Sequence, residues 1–424
     1  MSQDNGMSKK RGTSDTPLER VGAVIVGAGE AGVGVAKALR VEGYSKPIIL
    51  VGEESCEPYQ RPPLSKSILL EGANLADIVL LTEMEAAALE LQIKTGCRVV
   101  ELGCEEHLVT CEDGSRYEYE SVVLATGSRV RTIKAFPADL EGVHYLRTWR
   151  DAEALRRTMR TASRTLIIGG GWIGLEVAAA MRVSGIDVTL VDVSDRLCAR
   201  AGTRAVSSFL HRLHRANGVD IRLGSSAGNP IREASGGYTV EIDGVPERFD
   251  AIVVGVGVVP NTELARAAGI AVENGILTDA EGRTSKRDVY ACGDVANHLN
   301  RFVGKRVRFE TWSHAGKQAA AVASIIAGKA AEYDDVPWFW SDEYESNLQV
   351  LGLPSDDDRV VVRGDVAGDA QTIFYVRDGR LAGVVAINSP RNIIASRKIM
   401  ERGIRVDVNQ LADTELDIRK LLKK

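Results

Sequence analysis

The stretch VGAVIVGAGEAGVGVAKALR, Val21 to Arg40, decides the fold of this 424-residue chain, because it has the pattern of a buried strand, a glycine-rich turn and a helix. Gly27, Gly29 and Gly32 allow a tight turn, close backbone approach to a pyrophosphate and tight packing of the helix. Glu53 ends the next predicted strand, where it can accept hydrogen bonds from ribose hydroxyls. Together these features predict a dinucleotide-binding unit; a glycine-rich helix contact is the plainer alternative.

A second stretch of the same kind, RTLIIGGGWIGLEVAAAMR from Arg164 to Arg182, carries glycines at the same spacing, at Gly169, Gly171 and Gly174. The repeat predicts two nucleotide-binding units in one chain. Two such sites suggest a nicotinamide cofactor that feeds a flavin, because a flavin can take a hydride and release single electrons. A simple dehydrogenase needs only one such site.

Asp192 ends the strand that follows the second turn, and it bears on the choice of nicotinamide cofactor. A carboxylate there would bond both hydroxyls of an adenosine ribose and repel a 2′-phosphate, which favours NADH over NADPH. Arg196 and Arg200 lie just beyond and could instead attract that phosphate, so the alternative stays open.

Composition narrows the possible partners. The formal net charge is −5 and aromatic residues make up 5% of the chain, so no chain-wide basic field or stacking surface favours nucleic acid. No apolar run approaches the roughly 20 residues of a membrane span. Residues 1–20 are polar and lack the apolar segment of a signal peptide, which predicts a disordered tail and a cytoplasmic protein.

The cysteines are scattered, with no CxxC pair and no Cys/His cluster at metal-ligand spacing, which predicts a reducing compartment and no protein-bound metal. Flavin disulfide reductases need a redox-active cysteine pair beside the ring, and no such pair follows the first glycine turn. Cys56 is the nearest candidate. We interpret Cys56 as a packing or loop residue, and Cys292 likewise, since a buried thiol is usually inert.

Several further segments carry a more specific signal. They resemble the NADH-dependent ferredoxin reductases of bacterial oxygenase systems, and the resemblance runs from about residue 20 to the C-terminus. PYQRPPLSK and PWFWSDEY are far more specific to that family than either glycine turn. The segments are PYQRPPLSK (Pro58–Lys66), LATGS (Leu124–Ser128), YLRT (Tyr145–Thr148), GGGWIGLE (Gly169–Glu176), CGDVAN (Cys292–Asn297), ETWSHA (Glu310–Ala315) and PWFWSDEY (Pro337–Tyr344).

The resemblance implies an α/β, glutathione-reductase-like flavoprotein with two dinucleotide-binding domains. An FAD domain at 21–130 and 258–330 would be split around an NAD domain at 131–257. A C-terminal α+β domain at 331–424 would cover the flavin. The implied activity is transfer of a hydride from NADH to bound FAD and of single electrons to a [2Fe–2S] ferredoxin, in a cytochrome P450 or related oxygenase system.

The resemblance also implies site residues. Lys66 would lie beside the flavin and pair with Glu176, each neutralising the other's charge on burial; without the resemblance, Lys66 would be an ordinary surface lysine. Trp338 and Trp340 would border the flavin and the ferredoxin surface rather than serve as plain core aromatics. The remaining predicted cofactor contacts are Ala31, Glu53, Arg61, Val99, Ala125, Thr126, Arg147, Ile173, Arg200, Gly257, Asp294 and Trp312.

Alternatives remain in the sequence. The same fold also suits NADH oxidases, monodehydroascorbate reductases and rubredoxin reductases, as well as redox interaction proteins like the apoptosis-inducing factors. His144, His298 and His314 are interpreted as satisfied structural histidines, because hydride transfer needs positioning and not an obligatory acid.

Charge runs suggest where a ferredoxin could dock. Two basic runs, at 298–308 and 391–405, are candidate docking surfaces, and the acidic run at 332–345 would repel an acidic ferredoxin. The plainer interpretation is that all three runs are ordinary solvated faces with no role in docking.

Overall fold

The computed structural model describes residues 18–365 and 370–423. Of the predicted disordered tail, residues 1–17 lie outside this described part. The prediction is wrong for 18–20, because these residues belong to the first strand, whose backbone pairs in parallel with the strand at 116–124.

The first part of the chain builds a sheet around the first glycine turn. Its order is β3-β2-β1-β6-β5-β4, with the first four strands parallel and the last two joined by antiparallel pairing. The elements are β1 (Leu18–Val26), α1 (Glu30–Val41), β2 (Ile48–Val51), α2 (Ser67–Leu70), α3 (Glu83–Ala88), β3 (Leu91–Lys94), β4 (Val99–Gly103), β5 (Leu108–Cys111), β6 (Arg116–Leu124) and β7 (Ser128–Val130). Short 3-10 turns at Pro62–Ser65 and Leu75–Ile78 precede α2 and α3.

The second part repeats the arrangement around the second glycine turn. A parallel sheet runs in the order β11-β10-β9-β15-β8. A second, antiparallel sheet, β12-β13-β14, is formed by the segment of chain between β11 and β15. The elements are β8 (Val143–His144), α4 (Trp149–Met159), β9 (Arg164–Ile168), α5 (Trp172–Val183), β10 (Asp187–Asp192), α6 (Arg204–Ala216), β11 (Asp220–Leu223), β12 (Ile231–Arg232), β13 (Tyr238–Ile242), β14 (Val245–Phe249) and β15 (Ala251–Val254).

The third part returns to the first sheet. β7 pairs antiparallel with β16, so two connecting strands run side by side between the sheets, and β19 adds to β6 of the first sheet. The helix at 312–326 packs on α1, where Ala319 and Val322 are fully buried. The elements are β16 (Val258–Pro260), α7 (Glu263–Ala267), β17 (Val272–Glu273), β18 (Gly275–Thr278), β19 (Val289–Ala291), β20 (Ala296–Asn300), β21 (Lys305–Val307) and α8 (Trp312–Ile326).

The last part is a separate five-stranded antiparallel sheet, β22-β23-β26-β25-β24, with helices against it. Alternating apolar residues on its strands form a cluster around Phe374 and Val384, both fully buried. The opposite face, through Val385 and Tyr375, joins a cluster that includes α5 residues. The elements are β22 (Trp338–Glu343), β23 (Ser346–Gly352), β24 (Arg359–Gly364), β25 (Gln371–Arg377), β26 (Arg380–Ile387), α9 (Pro390–Glu401) and α10 (Val408–Ala412).

Candidate cofactor cleft

One large cleft, of about 3420 Å³, receives both glycine turns and residues of all four parts of the chain. Every predicted site residue lines it except Gly32 and Gly174. These two lie behind their turns, where a Cβ would come within 1.8 Å of the Gly27 carbonyl oxygen and 2.1 Å of the Gly169 carbonyl oxygen, respectively. The absence of a side chain at these two glycines therefore lets each helix pack closely against the turn and strand that precede it. The predicted residues on the cleft wall are Gly27, Gly29, Ala31, Glu53, Arg61, Lys66, Val99, Ala125, Thr126, Arg147, Gly169, Gly171, Ile173, Glu176, Asp192, Arg200, Gly257, Asp294, Trp312, Trp338 and Trp340.

The two turns have the same backbone geometry. Gly27 has φ +111° and Gly169 has φ +105°, a region that disfavours any side chain, and a Cβ at Gly27 would meet the Ala125 carbonyl oxygen at 2.2 Å. Each turn leads directly into a 12-residue helix, α1 or α5, whose N-cap is a glycine with no side-chain cap. The free N–H groups at these two helix starts are suited to anionic phosphate.

The turns also leave room for a ligand. A Cβ at Gly29 would meet nothing within 4 Å, and at Gly171 the nearest atom would be 3.9 Å away. Beside the first turn, Oε2 of Glu30 is buried without a hydrogen-bond partner among the described residues, and burial raises the pKa of this carboxyl. A hydroxyl-bearing ligand in the cleft would supply the missing donor. The residues present therefore fit a nucleotide cofactor such as FAD.

The carboxylate of Asp192 closes the second turn. Its two oxygens accept from the backbone N–H groups of Gly170 at 2.6 Å and Ser194 at 2.7 Å. Each oxygen keeps a further lone pair for a ribose hydroxyl. Arg196 is committed to its own loop, because it donates to the carbonyls of Gly202 and Ala199, whereas Arg200 stays exposed beside Gly257.

Arg147 and Asp294 are joined in a network on the cleft wall. Arg147 donates to Asp294 at 3.0 Å and to the carbonyl of Ser128 at 3.0 Å, and the Ser128 hydroxyl donates to Asp294 at 2.9 Å. Arg61 donates to the Arg147 carbonyl and pairs with Glu54 at 2.7 Å. Sequence reasoning missed Ser128 and Glu54, although Ser128 lies within the quoted LATGS segment.

The structure brings Lys66 and Glu176 together. Lys66 Nζ lies 2.5 Å from Glu176 Oε1, with side-chain exposures of 21% and 5%, so the ammonium faces the cleft while the carboxylate is buried. Ser341 donates to the same carboxylate oxygen at 2.6 Å and Ser65 donates to the other. Burial raises the pKa of Glu176, opposed by the Lys66 charge and these hydroxyls. Both serines were missed, although each lies inside a quoted segment.

Three tryptophans form a contiguous cluster on the cleft wall. Trp338 and Trp340 stack at 5.2 Å between ring centroids, and Trp312 meets Trp340 edge-on at 6.1 Å. Trp312 is 39% exposed. The Trp338 indole donates to Gln349 and that of Trp340 to Asp342. The cluster thus presents aromatic surface to the cleft, while the indole N–H groups of Trp338 and Trp340 have hydrogen-bond partners.

The prediction of satisfied structural histidines is wrong in part. His144 contacts the Thr158 hydroxyl at 2.9 Å, and His314 Nδ1 contacts the Tyr333 hydroxyl at 2.8 Å. Nε2 of His314 and both ring nitrogens of His298 are buried without partners within the described ranges. The two rings stack on each other among aromatic neighbours, and burial lowers the pKa of His298 to about 4 and of His314 to about 3. They are apolar packing residues in their neutral form.

The cysteines are less scattered than the sequence indicates. Sγ of Cys97, Sγ of Cys111 and a carboxylate oxygen of Asp113 lie within 4.8 Å of one another, because strand pairing sets β5 beside the start of β4. Lys94 pairs with Asp113 at 2.7 Å, and burial raises the pKa of Cys111 to about 12. Both effects disfavour a cation. Cys56 is half-buried and Cys292 fully buried.

The basic and acidic runs partly neutralise each other. Arg301 pairs with Glu332, and Arg397 pairs with Asp335 at 3.0 Å, because the acidic run lies against both basic runs. Neither arginine is therefore a free docking charge. Lys305 lies on the cleft rim, exposed and without an ion-pair partner in the described part of the chain. Among the described residues, no helix has the length and apolar character needed to cross a membrane.

Known protein families and relatives match this chain over most of its length. The family model for pyridine nucleotide-disulphide oxidoreductases matches residues 22–319, and that for the reductase C-terminal domain matches 338–422. The ferredoxin–NAD(+) reductase component of the anthranilate 1,2-dioxygenase system of Burkholderia cepacia is 41% identical over 94% of this chain and 98% of its own. Rhodocoxin reductase of Rhodococcus erythropolis is 40% identical over 93% of each chain.

Solved structures agree. The reductase chain in the crystal structure of the covalent putidaredoxin reductase–putidaredoxin complex superposes with a TM-score of 0.91 at 35% identity, covering 95% of this chain and 98% of that one. The fold and cleft define a flavin- and nicotinamide-dependent oxidoreductase of the pyridine nucleotide-disulphide oxidoreductase class. Within that class the chain belongs to the ferredoxin–NAD(+) reductase family, whose members are FAD-dependent and use NADH. The predicted family and fold class are confirmed.

Proposed function

We propose that this chain holds FAD, takes a hydride from NADH and delivers single electrons to a [2Fe–2S] ferredoxin that serves a cytochrome P450 or related oxygenase. The observation that carries the proposal is that two nucleotide-type turns open onto one cleft, which they share with the Lys66–Glu176 pair. Bound FAD would supply the conversion of a two-electron hydride into single electrons. A cytoplasmic location accords with six free thiols.

The residues of the cleft have separate tasks in this proposal. The first turn and the start of α1 bind the FAD pyrophosphate, and Asp294, held by Arg147, orients the rest of the cofactor. The second turn and Asp192 bind NADH. Lys66 presents its ammonium to the cleft, while Glu176 balances that charge and keeps it in place.

The domain division is part of the same proposal. The segments 21–130 and 258–330 hold FAD, and 131–257 holds NADH. β19 joins the first sheet and α8 packs on α1, which supports assigning the later segment to the FAD domain. The C-terminal part, 331–424, covers the flavin and brings Trp338 and Trp340 to the cleft, where they border the ferredoxin surface.

The test is NADH-driven reduction of cytochrome c by the purified flavoprotein, with and without a panel of [2Fe–2S] ferredoxins. A large stimulation by at least one ferredoxin is expected. Gly27→Ala should lose both FAD and the stimulation, because its Cβ would meet the Ala125 carbonyl oxygen at 2.2 Å. The matched control is Gly228→Ala, whose Cβ would lie at 3.4 Å from its nearest neighbour. Rapid NADH consumption by oxygen alone, unaffected by any ferredoxin, would show an oxidase instead.

A further inference from the structure

A chain of buried hydrogen bonds continues from the Lys66–Glu176 pair into the protein, away from the cleft. Ser341 donates to Glu176 Oε1 at 2.6 Å and also lies 3.1 Å from Glu343 Oε1. Glu343 Oε2 contacts His214 Nε2 at 2.6 Å, and His214 Nδ1 contacts the Tyr344 hydroxyl at 3.2 Å. Every link is within hydrogen-bond distance.

Local structure explains why these groups meet. Ser341 and Glu343 are two residues apart on β22, so both side chains point to the same face of the strand. That face lies over α5, which carries Glu176, and over the last turn of α6, which carries His214. His214 is 0% and Glu343 3% exposed. Burying the carboxylates of Glu176 and Glu343 beside the His214 imidazole costs free energy unless each group keeps its hydrogen-bond or ion-pair partners.

The single hydroxyl proton of Ser341 is the central feature. A serine hydroxyl donates one hydrogen bond, so Ser341 can serve Glu176 or Glu343 but not both. If the His214–Glu343 pair holds an extra proton on Glu343 Oε1, that proton is donated to the Ser341 oxygen, and the Ser341 hydroxyl serves Glu176. If the pair loses it, Glu343 competes for the hydroxyl, and Glu176 keeps Lys66 and Ser65 as its donors.

We propose that His214 and Glu343 form a proton-holding pair that acts through the Ser341 hydroxyl on Glu176, and so positions the Lys66 ammonium at the cleft. The idea rests on the proposed function, in which Lys66 faces bound FAD. His214 and Glu343 are positioning residues, since they touch the cleft only through other groups.

Other ionisable groups face this network from the elements around it. Cys198, after β10, is deeply buried, and its pKa is raised by burial and by the charges of Glu343 and Glu176. Arg182 on α5 opposes the rise in the pKa of Tyr344, which burial and Glu343 produce. Lys66 is the cation closest to Glu176. The loss or gain of one proton at His214–Glu343 therefore changes the charge close to two other buried groups, Glu176 and Cys198.

The test uses the FAD-loaded protein. Infrared difference spectra across the pH range of the folded protein report a protonated buried carboxyl, and the visible absorbance of bound FAD over the same range reports the charge at Lys66–Glu176. Ser341→Ala should keep the carboxyl band but lose the pH response of the FAD absorbance. Single-turnover reduction by NADH should slow about tenfold, because Glu176 loses a hydrogen bond to a charged group. Glu343→Gln should lose both signals.

The matched control is Ser396→Ala, which removes another fully buried hydroxyl, one without a hydrogen-bond partner among the described residues. It should change neither signal. Ser341→Ala with Glu343→Gln should slow reduction by NADH no more than Ser341→Ala alone, since Glu343 acts on Glu176 only through the Ser341 hydroxyl. An unchanged pH response in Ser341→Ala, additive effects in the double variant, or no carboxyl band in the parent protein would overturn the inference. The infrared readout needs no ferredoxin and no turnover, so a failure of the proposed function would be seen separately.

Discussion

Replacing Lys66 with methionine should leave Glu176 as an unpaired buried carboxylate. The side chain is similar in length and keeps the apolar packing of the lysine stem, so the change removes chiefly the charge. Glu176 is 5% exposed, and water cannot replace the lost partner. The variant should therefore lose stability and also accept hydride from NADH more slowly.

The magnitude follows from the contacts of Glu176. Removing one partner of a buried ion pair costs about 3–5 kcal/mol when nothing compensates. Ser65 and Ser341 still donate to the carboxylate. Protonating a carboxyl with the ordinary pKa of 4.5 at pH 7 costs about 3.4 kcal/mol, which sets an upper limit. A loss of about 2–3 kcal/mol at pH 7 is expected.

The pH dependence gives the sharper test. Without Lys66, the folded-state pKa of Glu176 rises further above its unfolded value. The added penalty is therefore absent below the unfolded pKa and grows as pH rises toward the folded pKa, so the loss should be smaller at about pH 5 than at about pH 8. Denaturant unfolding of both proteins at the two pH values measures this difference.

The double variant Lys66→Met with Glu176→Gln is the control. It removes the stranded charge, so most of the lost stability should return, while stopped-flow reduction by NADH should stay slow. The same stability loss at both pH values, or no recovery in the double variant, would refute the role given to this pair.

Asp192→Ala should narrow the preference for NADH over NADPH in kcat/KM by about 1–3 kcal/mol without creating efficient NADPH use, since repulsion is lost but no phosphate clamp is gained; equal kcat/KM values in the parent protein would contradict it. Because burial lowers the pKa of His298 and of His314, the folded state binds fewer protons than the unfolded state below about pH 6.5. The free energy of unfolding should therefore have its full value above about pH 6.5 and fall as the pH drops toward 4. His298→Phe should reduce this fall in acid unfolding curves, by up to about 1.4 kcal/mol per pH unit. Lys305→Glu should slow ferredoxin reduction and weaken its salt dependence more than Arg301→Glu, because Glu332 already neutralises Arg301; equal effects would argue against docking at this rim.

Much of the fold could be predicted from the sequence, because glycine turns constrain the backbone locally. Gly27, Gly29 and the strand before them dictate a strand–turn–helix unit wherever it occurs, and both such units form. The pairing of Lys66 with Glu176 was expected only from the family resemblance. Nothing local to Lys66 indicates a partner 110 positions away.

The missed parts depend on contacts between distant segments. Ser341 and Glu176 are 165 positions apart, and β22 brings them together only after the C-terminal sheet packs on α5. The grouping of Cys97 with Cys111 comes from strand pairing across a hairpin, which a search for CxxC spacing cannot detect. The arginines of the basic runs looked free because their acidic partners lie on a different segment of the chain.

The activity proposed for this chain is the conversion of one hydride into two single electrons for a ferredoxin. The most direct measurement is an anaerobic titration of the FAD-loaded protein and an excess of oxidised [2Fe–2S] ferredoxin with limiting NADH, following the ferredoxin absorbance. Two ferredoxins should be reduced for each NADH consumed, with the reductase present in catalytic amount. Consumption of NADH without ferredoxin reduction, for every ferredoxin in the panel, would contradict it.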